Sequence, residues 1–406
     1  MKLNAYLGAA LAVLLTSCTL PSEKSSTNNG NATATELAAL DRAECVDEYD
    51  PTVDYFPAKV EPQYAQGFSV DYHNHYKVVT VSNPWRAATQ AFQYVLVQCG
   101  TPTPAGYPNA QVIQVPVERV VALSTTHLPH LDALDAVDQL VGVSRFHQVN
   151  TPSIRSKIDR KELVAVDSGQ NLNIEVLLDS EPDLVLTFGT GDPQRDTYPK
   201  FLELGIPVGI VAEYMEATPL GQSEWLKFTS LFLNREAQAE QVFTEIAQEY
   251  QDLVELAQAA TDRPQVFVGF SLDGTWYVPA GQSFVSQFIQ DAGADYLWAA
   301  EPGAGSVPFA FEAVFDQAKN ADFWINVGND WHTHQDAIAA DSRYGNFKAF
   351  DLEQIFNNNA KLNTTGGNDY WESGILNPQV VLADLIHIFH PELLPNHKLV
   401  YYQKLE

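Results

Sequence analysis

The chain has 406 residues, 45% of them hydrophobic, and a formal charge of −28 from 51 acidic against 23 basic side chains. That length and apolar content allow two or three packed domains and exclude a fibrous or disordered chain. The surplus of negative charge repels a phosphate backbone at long range, which excludes nucleic acid as a partner and leaves a solvated exterior open to a cationic ligand or a basic docking surface.

The N-terminus reads as a secretory leader: Lys2, then an apolar run over residues 5–15 that is too short to span a bilayer. Thr16-Ser17-Cys18 closes it and resembles the lipobox of bacterial lipoproteins, in which the thiol is acylated and becomes the new N-terminus. Residues 1–17 are therefore expected to be a signal peptide, with Cys18 fixed to membrane lipid. Localisation follows: exported and anchored at the periplasmic or cell-surface face of a bacterial membrane. Residues 18–44, rich in Ser, Thr, Asn, Gly and Ala between 21 and 35, form a flexible leash. With Cys18 committed, Cys45 and Cys99 are an even pair in an oxidising compartment and are expected to form a disulfide, two buried thiols being the alternative.

Residues 45–115 read as a β-rich extension, since 68–81 and 92–98 carry β-branched and aromatic residues and Pro and Gly cluster over 100–108. From residue 116 short apolar runs alternate with helical segments, the pattern of parallel α/β units. Strands are expected at 120–123, 140–143, 184–188 and 208–211, giving an N-terminal lobe over 116–220. A linking region over 221–263 contains a long helix whose apolar stripe includes Ala239, Phe243, Ile246, Tyr250 and Ala257 at three- and four-residue steps. A second α/β lobe is expected over 264–406, with strands at 266–270 and 323–327 and helices at 283–292 and 378–389. The predicted fold is α/β, two lobes joined by one rigid helix, with the β-rich extension in front.

Four stretches carry a family resemblance: Val117-Glu118-Arg119-Val120-Val121-Ala122-Leu123-Ser124; Asn173-Ile174-Glu175 with Glu181-Pro182-Asp183-Leu184-Val185-Leu186; Leu204-Gly205-Ile206-Pro207-Val208; and Asp291-Ala292-Gly293-Ala294. Their order around a central helix resembles the substrate-binding lipoproteins of ATP-binding-cassette (ABC) importers for iron-siderophores, haem and cobalamin, over about residues 116–395. The resemblance implies a chain that is not an enzyme and has no intrinsic cofactor. It implies capture of a small-molecule metal chelate, a ferric one by preference, between the lobes and its delivery to an ABC permease in the inner membrane. It also implies that Glu175 and Glu312, each at a helix start, meet arginines of that permease; the plainer alternative is that each complements its helix dipole.

Open α/β sheets gather ligands at the carboxyl ends of their strands. That rule selects Thr125, His127, Arg145, His147 and Tyr214 in the first lobe and Trp276, Trp331 and Arg343 in the second. The two arginines suit anionic groups of a chelate and the aromatic rings suit its apolar faces, against alternatives of ordinary ion pairing and core packing. Close histidine pairs at His73/His75, His127/His130 and His332/His334 keep direct zinc or manganese binding open as an alternative, although their spacing is not diagnostic and no metal site is assigned; haem or cobalamin is a further alternative. The enzyme motifs sought are missing: Gly269-Phe270-Ser271-Leu272-Asp273-Gly274 has one residue too many for a nucleophile elbow, and Gly189-Thr190-Gly191 lacks the third glycine of a dinucleotide loop.

Overall fold

A computed structural model describes residues 44–167, 172–328 and 330–406; the leader, Cys18 and the leash through residue 43 lie outside them. The extension is a four-stranded sheet in sequence order: β1 (Phe68–Tyr72), β2 (Tyr76–Val81), β3 (Phe92–Gln98) and β4 (Gln111–Val115), antiparallel except for the last pair. Cys45 is bonded to Cys99 just beyond β3, tying the start of the described chain to this sheet.

The first lobe is a wholly parallel sheet in the order β7-β6-β5-β8-β9, with β5 (Val120–Ala122), β6 (Leu140–Val143), β7 (Val164–Ala165), β8 (Leu184–Thr187) and β9 (Val208–Ile210). β5, β8 and β9 are buried throughout, as expected of short continuous apolar runs covered on both faces. β9 is the outer strand, and the extension caps it. The Gln111 side-chain amide both donates to the Val208 carbonyl and accepts from its N–H, while the Tyr94 hydroxyl accepts from Ile210 N–H. An open strand edge is thereby satisfied without adding a strand. Among the flanking helices, α1 (Pro152–Asp159) and α2 (Ile174–Asp179) follow strands of this sheet, and the Asn173 side chain caps α2.

Three helices lead out of the lobe: α3 (Pro219–Ser223), α4 (Trp225–Leu233) and α5 (Glu236–Ala257). Asn234, left-handed at φ 53°, ends α4, and the 22-residue α5 then runs roughly 33 Å. Residues 63–67 of the extension wrap two carboxylates at this junction. Glu224 accepts from the N–H groups of Gln63, Tyr64 and Ala65, and Glu216 accepts from those of Gln66 and Gly67 and from the Trp225 indole. Burial raises the Glu216 carboxyl above the ordinary carboxylate range. Two buried lysines complete the joint. Lys77 on β2 meets Glu236 at 2.6 Å, and Lys227 sits between Glu224 at 3.0 Å and Glu240 at 2.8 Å. Buried charges persist only when paired this closely, so the extension is bolted to the connecting helices rather than hung from them.

The second lobe holds a sheet in the order β13-β10-β15-β16-β17, from β10 (Gln265–Val268), β13 (Asp295–Tyr296), β15 (Phe323–Ile325), β16 (Ile355–Asn357) and β17 (Gln403–Lys404), with only β17 antiparallel. A small antiparallel sheet of β11 (Ser271–Leu272), β12 (Thr275–Pro279) and β14 (Ser306–Ala310) stands beside it. α6 (Phe311–Ala318) follows β14, and α7 (Pro378–Phe389) packs along α5. Two α/β lobes, one long helix between them and a leading β-sheet are thus the architecture. Among the described residues no helix is long and apolar enough to cross a membrane.

Candidate functional site

The carboxyl ends of the first lobe's strands open onto a cleft of about 640 Å³ shared with the second lobe. β5 delivers Leu123, Ser124 and Thr125, β6 delivers Ser144 with His147 and Gln148 behind it, and β8 delivers Phe188. The opposite wall consists of Asp330, after β15, and a polar segment around Thr365, Gly366, Gly367, Asn368 and Trp371. Phe188 is 42% and Trp371 43% exposed, one on each lobe, in a protein that buries most of its rings. Hydroxyls of Ser124, Thr125, Ser144 and Thr365 supply neutral donors and acceptors between them.

Residues 361–373 reach across from the second lobe and hold the first. The Asn363 amide donates to the carbonyls of His147 and Val149, and the Thr365 hydroxyl donates to His147 at 2.6 Å. Asn363 also accepts from Thr365 N–H and Gly367 N–H, which folds the segment on itself. Behind the cleft the fully buried Glu372 carboxylate accepts from Asn150 N–H, the Asn150 amide, Thr151 N–H and the Thr151 hydroxyl, at 2.6–3.1 Å. Burial is the dominant influence on that carboxyl and raises its pKa, opposed by these four donors.

Below the cleft floor lies a second buried acid. Glu213 accepts from the Thr126 hydroxyl, which in turn meets the Ser124 hydroxyl at 2.9 Å, and burial pushes its pKa up to about 7.

Thr125 and His147 therefore stand in the cleft wall. His127 does not: it is fully buried, and desolvation drives its pKa down to about 3. Trp276 is likewise in the core, its indole donating to the Val268 carbonyl amid Phe267, Trp324 and Tyr344. Placing these two on the cleft surface is corrected by their burial. Trp331 packs half-buried on Trp324 and Tyr344 next to Asp330, behind the wall. Arg145 follows cleft-lining Ser144, but its guanidinium is engaged by Asp167 at 2.7 Å. Tyr214 donates its hydroxyl to the carbonyls of Gly189 and Pro84, bridging the loop after β8 to the extension. Arg343 belongs elsewhere: it lies over the Phe311 ring and pairs with Asp341 and with Glu312, so it stands with the residue expected at the docking tip. Glu312 and Glu175 are both exposed in the first turns of α6 and α2. Among the described residues no three His, Cys, Asp or Glu side chains are grouped to hold a metal ion.

The sequence places Ser124, Ser144 and Phe188 at strand ends without singling them out as ligand contacts, and it passed over the whole 361–373 segment. Its signal was the density of turn formers in Asn363-Thr364-Thr365-Gly366-Gly367-Asn368, ahead of two aromatic residues.

Known proteins resemble this chain in sequence or in fold. An uncharacterized lipoprotein of Methanocaldococcus jannaschii is 26% identical over 305 residues, 73% of this chain and 70% of its own length. A periplasmic binding protein of Veillonella parvula superposes with a TM-score of 0.56 at 12% identity, covering 77% of this chain and 98% of that one. A periplasmic haem-binding protein of Pseudomonas aeruginosa gives 0.52 at 18% identity, over 71% of this chain and 98% of that one. The sequence model described as "periplasmic binding protein" matches residues 120–361, from the first strand of the first lobe into the second wall of the cleft. With more than half the chain matched in this way, the protein belongs to the periplasmic binding protein family: it is a binding protein and not an enzyme.

Proposed function

We propose that this chain captures a ferric chelate of low net charge between its lobes and delivers it to an ABC permease in the membrane. The observation that carries this reading is the pair of exposed rings, Phe188 and Trp371, on facing walls of one cavity whose polar lining is mostly hydroxyl and amide, with His147 and Asp330. A chelate presents the matching surface, an apolar ligand backbone interrupted by carbonyl or hydroxamate oxygens around a sequestered ion. Low charge follows from the lining, which contains no Arg or Lys and one acid, Asp330. Fold alone does not choose the cargo, since a protein of this fold carries haem. Glu175 and Glu312 are the proposed permease contacts, and acylated Cys18 the proposed anchor.

Tryptophan-fluorescence titration of the full chain in detergent against ferrioxamine, a ferric catecholate, ferric citrate, haem, cobalamin and zinc tests the reading. Saturable quenching by ferrioxamine, weakened at least tenfold in Trp371→Ala or Phe188→Ala, is the expected result. Saturation by zinc, haem or cobalamin alone would replace it with one of those cargoes.

A further inference from the structure

The cleft is framed on two sides by different parts of the chain. In the first sheet β6 and β8 flank β5, and the 361–373 segment holds the loop after β6. The loop after β8 is covered instead by the extension. Trp85 lies flat over Gly189 and Gly191, where a β-carbon at either position would stand 2.6 Å from the indole, and its ring packs with Phe92 and Tyr198. Gly189 directly follows the cleft-lining Phe188.

From that anchored indole the next residue crosses to the other lobe. Arg86 lays its guanidinium against Gly305 of the second lobe, with Nη1 2.9 Å and Cζ 3.5 Å from where a β-carbon of that glycine would be. Ala87 holds φ at 59°, a left-handed conformation that alanine disfavours and that no polar side chain of its own offsets. Backbone strain of this kind is enriched at active sites and ligand clamps. Arg86 is exposed and has no ion-pair partner among the described residues, whereas Arg145 and Arg343 are both neutralised by aspartates.

We infer that Arg86, supplied by the N-terminal extension at the junction of the two lobes, is the residue by which this protein recognises a carboxylate at the rim of its bound chelate. The inference deepens the reading above and rests on it. A guanidinium is a planar, permanently charged fork that meets a carboxylate in two parallel hydrogen bonds. Reaching from the loop cover next to Phe188 toward a cleft that holds no Arg or Lys of its own, it turns a general chelate site into one that distinguishes a ligand with an acidic arm from one without. The extension then acts as a specificity element, built onto a fold that already has its cleft.

N-acetyl and N-succinyl ferrioxamine B, ferric trihydroxamates that differ by one terminal carboxylate, provide the probes, titrated against the full chain in detergent. The wild type is expected to prefer the succinyl chelate about tenfold, with the preference shrinking as salt rises. Arg86→Ala and Arg86→Gln should bind the two alike, through a fall in affinity for the succinyl chelate, and Arg86→Lys should keep part of the preference. A wild type that binds both equally, or a preference that survives Arg86→Ala, overturns the assignment of Arg86 and leaves the chelate reading standing. A wild type that binds neither removes the chelate reading and this inference together.

Discussion

Glu372 is the point at which the two lobes depend most on one side chain. Its carboxylate, fully buried, takes four donors from the first lobe, two of them the backbone N–H groups of Asn150 and Thr151. In Glu372→Ala the Asn150 amide and the Thr151 hydroxyl are free to turn elsewhere, but the two backbone donors are not. Each stranded donor costs about 1–3 kcal/mol, so the variant should lose about 2–6 kcal/mol, centred near 4. Glu372→Gln keeps one acceptor oxygen and sets an amide N–H₂ against the remaining donors, for a loss of about 2 kcal/mol. Urea unfolding followed by fluorescence reads both values. Small-angle scattering adds a second readout: with the latch gone and α5 intact, the lobes should separate and the radius of gyration increase. A Glu372→Ala chain within 0.5 kcal/mol of wild type, with an unchanged scattering curve, would show that α5 and the packing around it hold the lobes unaided.

Glu213 gives a signature in pH. Its folded pKa of about 7 lies above the ordinary value of 4.5, so between these limits the folded state keeps a proton that the unfolded chain releases. Stability should therefore fall as pH rises from 4.5 to 7, by about 3 kcal/mol, and Glu213→Gln should remove that slope in urea melts collected across the range. Docking is tested by Glu175→Ala and Glu312→Ala together, which should reduce uptake of a radiolabelled ferric chelate at least tenfold in cells while leaving its affinity for the purified protein within twofold. A matching drop in affinity would place these carboxylates at the ligand instead.

How far the sequence was legible depended on whether the deciding contact was local. β5, β8 and β9 could be read because strands buried on both faces are continuous apolar runs, and α5 because its stripe repeats at helical spacing. Thr125 and His147 follow from the strand-end rule alone. Arg145 misled because its partner, Asp167, is 22 residues away and meets it only through the pairing of β6 with β7. Arg343 had a local clue, Asp341 two residues earlier. Trp276 was placed at the surface because it follows a strand end, yet β12 folds back and carries it under Tyr344 and Phe311. The segment at 361–373 shows no periodicity, and a run of polar turn formers reads as a solvated loop until the other lobe is seen beneath it. Glu216 and Glu224 were equally opaque, since nothing near them in the chain indicates five backbone donors arriving from residues 63–67.

The Gln111 amide and the Tyr94 hydroxyl on the flank of β9 bear on how this protein tolerates trimming. A chain begun at residue 116 would keep both lobes and the cleft, yet it would carry a naked strand ready to recruit another molecule, and Glu236 stripped of the lysine that neutralises it. What precedes residue 116 is thus part of the protein's solubility, and a minimal binder cut there should self-associate through β9, which size-exclusion chromatography would read.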